Sequence, residues 1–260
     1  MLVAFDVFGT LADTASVARE LAAACGDMAG GVARTWRDKQ LEYMFRVTAM
    51  GQFPPFADLT RWSLARALAE AGITLAPAQQ DALAGAYRRL QPFDDARPAL
   101  AALRERGHSI VVFSVGPRAW LEELAASYRD LVDGFVSAED AGVYKPHPGI
   151  YRHLLGQAGA EPPAALLVSC NPFDIAGAGA TGMRTAWCKR QARCAVRPLG
   201  TAARLRDHEP PGARRHPARP LTGSQPVRDG PGPAGTRHDK TVPGPPGRAG
   251  QGHLAGWARC

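Results

Sequence analysis

The sequence predicts an α/β fold, a parallel sheet covered by helices on both sides, and two observations predict it. Short apolar runs recur along residues 1–190, each followed by a polar or glycine-bearing loop and then by a stretch of helical periodicity. Strands that alternate with helices lie parallel, because each helix carries the chain back across a face of the sheet; strands covered on both faces read as unbroken apolar runs. The second observation is a break in the alternation. From about residue 14 to residue 92 there is no strand pattern, only amphipathic helical spacing.

The first strand is Leu2–Asp6 (LVAFD). The interval that follows holds helical stretches at 15–24, 32–49, 58–71 and 77–90, punctuated by Gly30-Gly31, Pro54-Pro55 and Gly72, which break helices. The alternation then resumes: helix at 94–106, strand Ser109–Ser114 (SIVVFS), helix at 117–129, strand Asp133–Ser137 (DGFVS), helix at 147–158, strand Ala165–Ser169 (ALLVS), helix at 173–181 and strand Arg184–Trp187 (RTAW). All five strands read as buried on both faces. The expected organisation is a core of residues 1–14 and 92–190 with a helical cap, 15–91, inserted over the carboxyl ends of the strands, where open α/β sheets bind ligands.

Charge divides the chain differently. Residues 1–190 carry 19 Lys+Arg against 20 Asp+Glu, whereas residues 191–260 carry 12 against 4, so the net charge of +7 belongs to the tail. That tail holds 22 of the 50 Gly and Pro, no Ile or Phe, three Val and four Leu. So little apolar surface does not offset the entropy of ordering a chain, and the tail is expected to be low-complexity and disordered. Its Arg/Pro/Gly/Ala bias is also what a GC-rich gene yields when read out of frame. The body has no basic stripe with interleaved aromatics, which excludes nucleic acid as a partner. No apolar run reaches the roughly 18 residues of a membrane helix, and the MLVAFD start carries no export signal. The five cysteines are scattered without paired spacing, so neither a disulfide framework nor a zinc site is expected. A cytoplasmic protein is the expectation.

The chemistry gathers at strand ends. Asp6-Val7-Phe8-Gly9-Thr10-Leu11 places a carboxylate at the tip of the first strand, before a glycine that permits a tight turn and a hydroxyl that anchors the loop. Such a carboxylate is placed as a nucleophile, the other reading being a turn cap. Ser114 closes the second strand, Lys145 follows the third in Val143-Tyr144-Lys145-Pro146-His147-Pro148, and Ser169-Cys170-Asn171-Pro172-Phe173-Asp174 follows the fourth. In a parallel sheet all four face one crevice.

In this order and spacing, D-V-F-G-T-L, F-S-V-G, V-Y-K-P and S-C-N-P-F-D resemble the four motifs of the haloacid dehalogenase superfamily, over residues 1–190. The resemblance implies a Rossmann-like core. Phosphatases of that superfamily carry a second aspartate two positions after the nucleophile and usually paired acids in the fourth motif to hold Mg²⁺; here those positions are Phe8 and a lone Asp174. A phenylalanine transfers no proton, and a single acid beside Asn171 is a poor partner for a hard cation. What remains is similar to the L-2-haloacid dehalogenases, whose cap segment W-R-x-K-Q-L-E-Y is resembled by Trp36-Arg37-Asp38-Lys39-Gln40-Leu41-Glu42-Tyr43.

The resemblance implies that Asp6 attacks the halogen-bearing carbon of a short 2-haloacid, that Arg37 receives the halide, and that water cleaves the resulting aspartyl ester, with no metal or organic cofactor. Lys145 is implied to hold the Asp6 and substrate carboxylates together, since two anions about 4 Å apart repel by roughly 4 kcal/mol at an effective dielectric near 20. Thr10, Ser169 and Asn171 are implied to hydrogen-bond the nucleophile and the water. Asp174 either orients Lys145 or activates the water, and Tyr151 organises Lys145. Ser114 stands at the crevice, and Phe8, Leu41, Val115 and Phe173 line the substrate. Three positions depart from the family: Val115 stands where it usually has Asn and removes a donor, Phe8 replaces a frequent Tyr, and Phe173 replaces Trp. A homodimer through the cap is also implied. Two rival readings are a superfamily phosphatase or other small-acid hydrolase, and a catalytically silent product of a frameshifted gene, for which Val115 and the tail are the relevant features.

Overall fold

The computed structural model describes residues 1–190; the tail from residue 191 onward, with the disorder and reading-frame origin expected of it, lies outside the described residues. In chain order the elements are β1 (Leu2–Phe5), β2 (Ala12–Asp13), α1 (Val17–Cys25), α2 (Ala29–Ala49), α3 (Phe56–Glu70), α4 (Pro77–Ala84), β3 (Gln91–Pro92), α5 (Ala96–Glu105), β4 (Ser109–Ser114), α6 (Arg118–Leu124), β5 (Gly134–Ser137), α7 (Ala138–Ala141), α8 (Pro148–Ala158), β6 (Ala165–Ser169), α9 (Pro172–Ala180) and β7 (Arg184–Trp187).

Five strands form one parallel sheet in the order β5-β4-β1-β6-β7. β1 sits at its centre, and its four residues are all buried. The apolar runs became strands because hydrogen bonds to two neighbours satisfy the backbone while both faces of side chains lose water. β7 departs from that expectation. It is an edge strand among the described residues, and its Arg184 and Thr185 are exposed.

The insertion is helical throughout. In α2 the buried positions are Ala29, Val32, Ala33, Trp36, Gln40, Met44 and Val47, and in α3 they are Phe56, Leu59, Thr60, Ser63, Leu64, Ala67 and Leu68. Spacings of three and four make one stripe down each helix, and the two stripes pack together. The insertion opens at Asp13, whose carboxylate accepts the Ala15 N–H at 2.9 Å, and its neck is a two-residue antiparallel pair, Ala12 with Pro92 and Asp13 with Gln91. Two residues carry no period, so this pair was not legible in the sequence. The stretch expected as one helix at 117–129 is broken: α6 ends at Leu124 and a 3₁₀ segment follows at Ala126–Leu131, with Tyr128 off helical geometry. α4 likewise gives way to a 3₁₀ turn at Gly85–Arg88.

Candidate active site

The loop after β1 is wound by its own backbone. The Val7 carbonyl accepts the N–H groups of Thr10, Leu11 and Ala12, each at 3.0 Å, and Gly9 donates to the Ala12 carbonyl at 2.8 Å. Gly9 has φ of +84°, and a Cβ there would stand 2.9 Å from the Cys170 Sγ, so the turn requires glycine twice over. The winding brings the Thr10 hydroxyl back to Asp6.

The two oxygens of the Asp6 carboxylate have different surroundings. Oδ2 accepts three hydrogen bonds, from Thr10 Oγ1 at 2.8 Å, Asn171 Nδ2 at 2.7 Å and Ser169 Oγ at 3.3 Å. Oδ1 accepts one, from Lys145 Nζ at 3.2 Å. Asn171 and Ser169 reach it because β6 lies beside β1; the Asn171 amide also donates to the Phe8 carbonyl at 3.0 Å, and its own N–H is held by Ser169 Oγ at 3.1 Å.

Lys145 is 1% exposed and uses all three ammonium protons: on Asp6, on the Phe113 carbonyl at 2.9 Å and on Asp174 Oδ2 at 2.8 Å. The other Asp174 oxygen accepts the Tyr151 hydroxyl at 2.8 Å. Tyr151, expected to organise Lys145, therefore acts on it through Asp174. Burial pushes the Tyr151 phenol well above its usual range, with the Asp174 charge adding to the effect, so it donates as a neutral group. Burial and the Asp6 charge also push the Cys170 thiol up to about 11, which keeps it neutral.

Burial, and then the Asp6 charge, raise the Asp174 carboxyl above the ordinary aspartate value of 3.8, against the opposing pull of Lys145 and Tyr151. The sign of the consequence follows from linkage. The folded chain binds this proton more tightly than the unfolded chain, so acidification through the window above 3.8 favours this group's folded state while it removes the acceptor that Lys145 needs. Activity is expected to fall on the acid side with a midpoint above 3.8. A pH–rate profile paired with a melting curve checks this; a midpoint at or below the ordinary value contradicts it.

Tyr151 reaches Asp174 only because residue 177 has no side chain. A Cβ on Gly177 would stand 2.5 Å from the Tyr151 hydroxyl and 2.7 Å from its ring. Gly177→Ala is expected to cost about 1–3 kcal/mol by overpacking despite alanine's better helix propensity, and to lower turnover by displacing the hydroxyl. Gly179, on the same helix with open space around it, is the control: Gly179→Ala should stabilise by up to about 1 kcal/mol. Chemical denaturation of the pair measures both.

Against this cluster pack the inserted helices. Phe8 is 1% exposed and stacks on Phe56 of α3 at 5.4 Å, while Tyr87 meets it edge-on at 5.9 Å. The Arg37 guanidinium lies 6.0 Å from the Phe8 ring, and its Nη1 donates to Gln40 Oε1 at 2.7 Å. Gln40 is buried and is held in turn by the Thr60 hydroxyl at 2.9 Å. Arg37 therefore has a fixed position and a neutral partner; among the described residues no carboxylate pairs with it. Phe173 meets Phe45 of α2 at 5.1 Å, Leu41 is partly buried against the core, and Val115 is buried. Ser114 is buried with its hydroxyl unpartnered among the described residues, so of Asp6, Ser114, Lys145 and Ser169 it is the one not bonded into the cluster.

Sequence reasoning did not find Gly177, Gln40 as the holder of Arg37, Phe56 and Tyr87, or Arg190, whose guanidinium grips the Thr10 carbonyl at 2.8 and 3.1 Å. Gln40 stood inside a motif already noticed, and a polar residue on an apolar helix stripe was the available signal. Among the described residues no group of three or more His, Cys, Asp or Glu could hold a metal ion, and no helix is long and apolar enough to cross a membrane.

The haloacid dehalogenase-like hydrolase family model matches residues 1–182. The chain is 35% identical over 189 residues to (S)-2-haloacid dehalogenase 4A of Burkholderia cepacia, covering 72% of this chain and 82% of that protein. It is 32% identical over 192 residues to haloacetate dehalogenase H-2 of Moraxella sp. strain B, covering 72% and 85%. The structure of L-2-haloacid dehalogenase from Xanthobacter autotrophicus with chloropropionic acid covalently bound is similar with a TM-score of 0.70 at 33% identity, over 74% of this chain and 78% of that one. With the parallel sheet, the inserted helices and a buried strand-end aspartate in place, the chain belongs to the haloacid dehalogenase-like hydrolases, alongside the (S)-2-haloacid dehalogenases.

Proposed function

We propose that the protein hydrolyses short L-2-haloacids to 2-hydroxy acids through an ester on Asp6, and the observation that carries this is the unequal surroundings of the two Asp6 oxygens. Oδ2 is held by three donors and Oδ1 by Lys145 alone, so Oδ1 keeps a lone pair for attack. Oδ1 forms a bond to C2 of the substrate as the carbon–halogen bond breaks. The halide leaves with the electron pair toward Arg37, whose guanidinium faces an apolar wall of Phe8. Water then adds to Asp6 Cγ. Negative charge develops on Oδ2, inside the cradle of Thr10, Ser169 and Asn171, where fixed donors stabilise it without reorganisation. The Cγ–Oδ1 bond breaks, one water proton passes to the departing oxygen and the other is released to solvent, which returns Asp6 to its carboxylate, and the product's hydroxyl oxygen is the one Asp6 supplied.

Lys145 meets the charges of Asp6 and Asp174 with one ammonium, and Asp174 with Tyr151 holds that ammonium in line. The relatives named for haloacetate and for bound chloropropionic acid support a short substrate. The reading takes residues 1–14 and 92–190 as the core and 15–91 as the cap, in a cytoplasmic protein. It also takes the cap as a homodimer surface: Met28, Met50 and Trp62, exposed at 49%, 51% and 43%, all belong to it, and sedimentation of the purified protein reads the state directly.

The testing experiment is halide release from L- and D-2-chloropropionate, with p-nitrophenyl phosphate as the rival substrate, each with and without chelator. Release from the L-acid alone, insensitive to chelator, is the expected result. Mg²⁺-dependent phosphate release with no halide would transfer the assignment to a phosphatase; no release at all from either substrate favours a silent protein.

A further inference from the structure

We infer that Arg190 is a positioning residue for the second half of the reaction, holding Thr10 so that its hydroxyl meets Asp6 Oδ2; this rests on the reading just given. The Thr10 hydroxyl donates to Oδ2 at 2.8 Å and accepts the Cys170 N–H at 2.9 Å. Its aim depends on where the Thr10 backbone lies: the Val7 carbonyl holds the Thr10 N–H, and Arg190 holds the Thr10 carbonyl. Nε and Nη2 of Arg190 both donate to the Thr10 carbonyl, at 3.1 and 2.8 Å, while Nη1 contacts both Asp95 oxygens at 2.7 Å. The guanidinium lies 4.1 Å from the Phe93 ring, and the Phe93 N–H donates to the Leu11 carbonyl at 2.9 Å.

Three residues upstream, Trp187 Nε1 donates to the Cys170 carbonyl at 3.2 Å. The segment that leaves β7 thus grips the backbone of both loops whose side chains form the Oδ2 cradle: the loop after β1, which carries Thr10, and the loop after β6, which carries Asn171. Stability does not account for this arrangement well. The Asp95 side chain is 65% exposed, and an ion pair so open to water adds little. Direction does account for it, because two N–H groups of one planar fork converging on one carbonyl fix an orientation that a lysine's single flexible ammonium does not.

The two chemical steps distinguish this role from mere support. Ester formation uses Oδ1, which Lys145 holds and to which Thr10 makes no bond. Ester cleavage builds charge on Oδ2, where a donor displaced by a fraction of an ångström is felt. In Arg190→Ala the cleavage step should therefore slow while the formation step does not.

The experiment compares the full chain with Arg190→Ala and Arg190→Lys by rapid quench on L-2-chloropropionate, with intact-mass analysis for ester on Asp6, and by amide hydrogen exchange without substrate. Expected for Arg190→Ala is a fall in kcat of about 10- to 100-fold, a burst approaching one halide per site with ester accumulating on Asp6, and faster exchange at the Thr10 and Leu11 amides. Arg190→Lys should recover part of each, and guanidinium ion added to Arg190→Ala should raise kcat. Equal slowing of the burst and the steady state, or unchanged exchange at Thr10 and Leu11, overturns the inference. Absence of halide release from the unmodified chain overturns the proposed function instead, and exchange at Thr10 still decides whether Arg190 positions that loop.

Discussion

Replacing Asp6 with Asn is expected to abolish halide release, by about 10⁴-fold or more, while the fold survives. The amide oxygen takes the Oδ2 position and keeps the donors of Thr10, Ser169 and Asn171, so the cradle is not emptied. Its NH₂ then faces Lys145, a donor against a donor, at an expected cost of about 1–3 kcal/mol. What is lost is the nucleophile: an amide nitrogen has no free electron pair for attack on carbon. The companion measurement is isotopic. In a single turnover in ¹⁸O-labelled water the label should enter the Asp6 carboxyl, because water adds at Cγ, and the product should be unlabelled. Label appearing directly in the first-turnover product would overturn the covalent route.

Lys145→Met is expected to destroy activity and stability together. Removing the ammonium leaves Asp6 and Asp174 as two buried anions with no cation between them, and the Phe113 carbonyl without its donor. Deleting one partner of a buried ion pair costs about 3–5 kcal/mol, most of it the desolvation of the charge left behind. Adding Asp174→Asn removes one of those anions, so the double variant should recover much of the stability and none of the halide release. Denaturant titration and a halide assay on the two variants separate the electrostatic from the catalytic part. A single variant within about 1 kcal/mol of the parent would mean that solvent reaches this cluster and that Lys145 is not its counter-ion.

How much of this was legible follows the range of the interactions. Asp6 and the Ser169–Asp174 segment could be found because each stands at the end of an apolar run, and the end of a parallel strand is where the chain turns into the crevice. Lys145 was found through the Val143-Tyr144-Lys145-Pro146 segment that follows the third strand. Arg37 was found through its neighbours in the chain. Gly177 could not be read as functional: a glycine in a helix looks like a weak point until Tyr151, which precedes it by two elements, is seen occupying the space of the missing Cβ. Tyr151 was expected to organise Lys145, and it reaches the ammonium through Asp174, an intermediary that spacing does not resolve. The β2–β3 pair and the break after α6 escaped for a related reason, since elements of two residues and single kinks leave no period to detect.

By itself, then, the sequence determined the class of fold, the order of strands and helices, the place of the insertion and the chemical types at the strand tips. All of these depend on periodicity and local turn chemistry, which are properties of neighbours along the chain. Tertiary structure alone decided which oxygen of Asp6 is held and which is left with Lys145. It also decided that one ammonium serves two carboxylates, and that Arg190 reaches back to the loop after the first strand. Thr10 is four positions from Asp6, but the bonds made by Lys145 to Asp6 and Asp174 and by Arg190 to Thr10 span 139, 29 and 180 positions. Their partners are chosen by the register of parallel strands and by the space that small residues leave, quantities that no local pattern encodes.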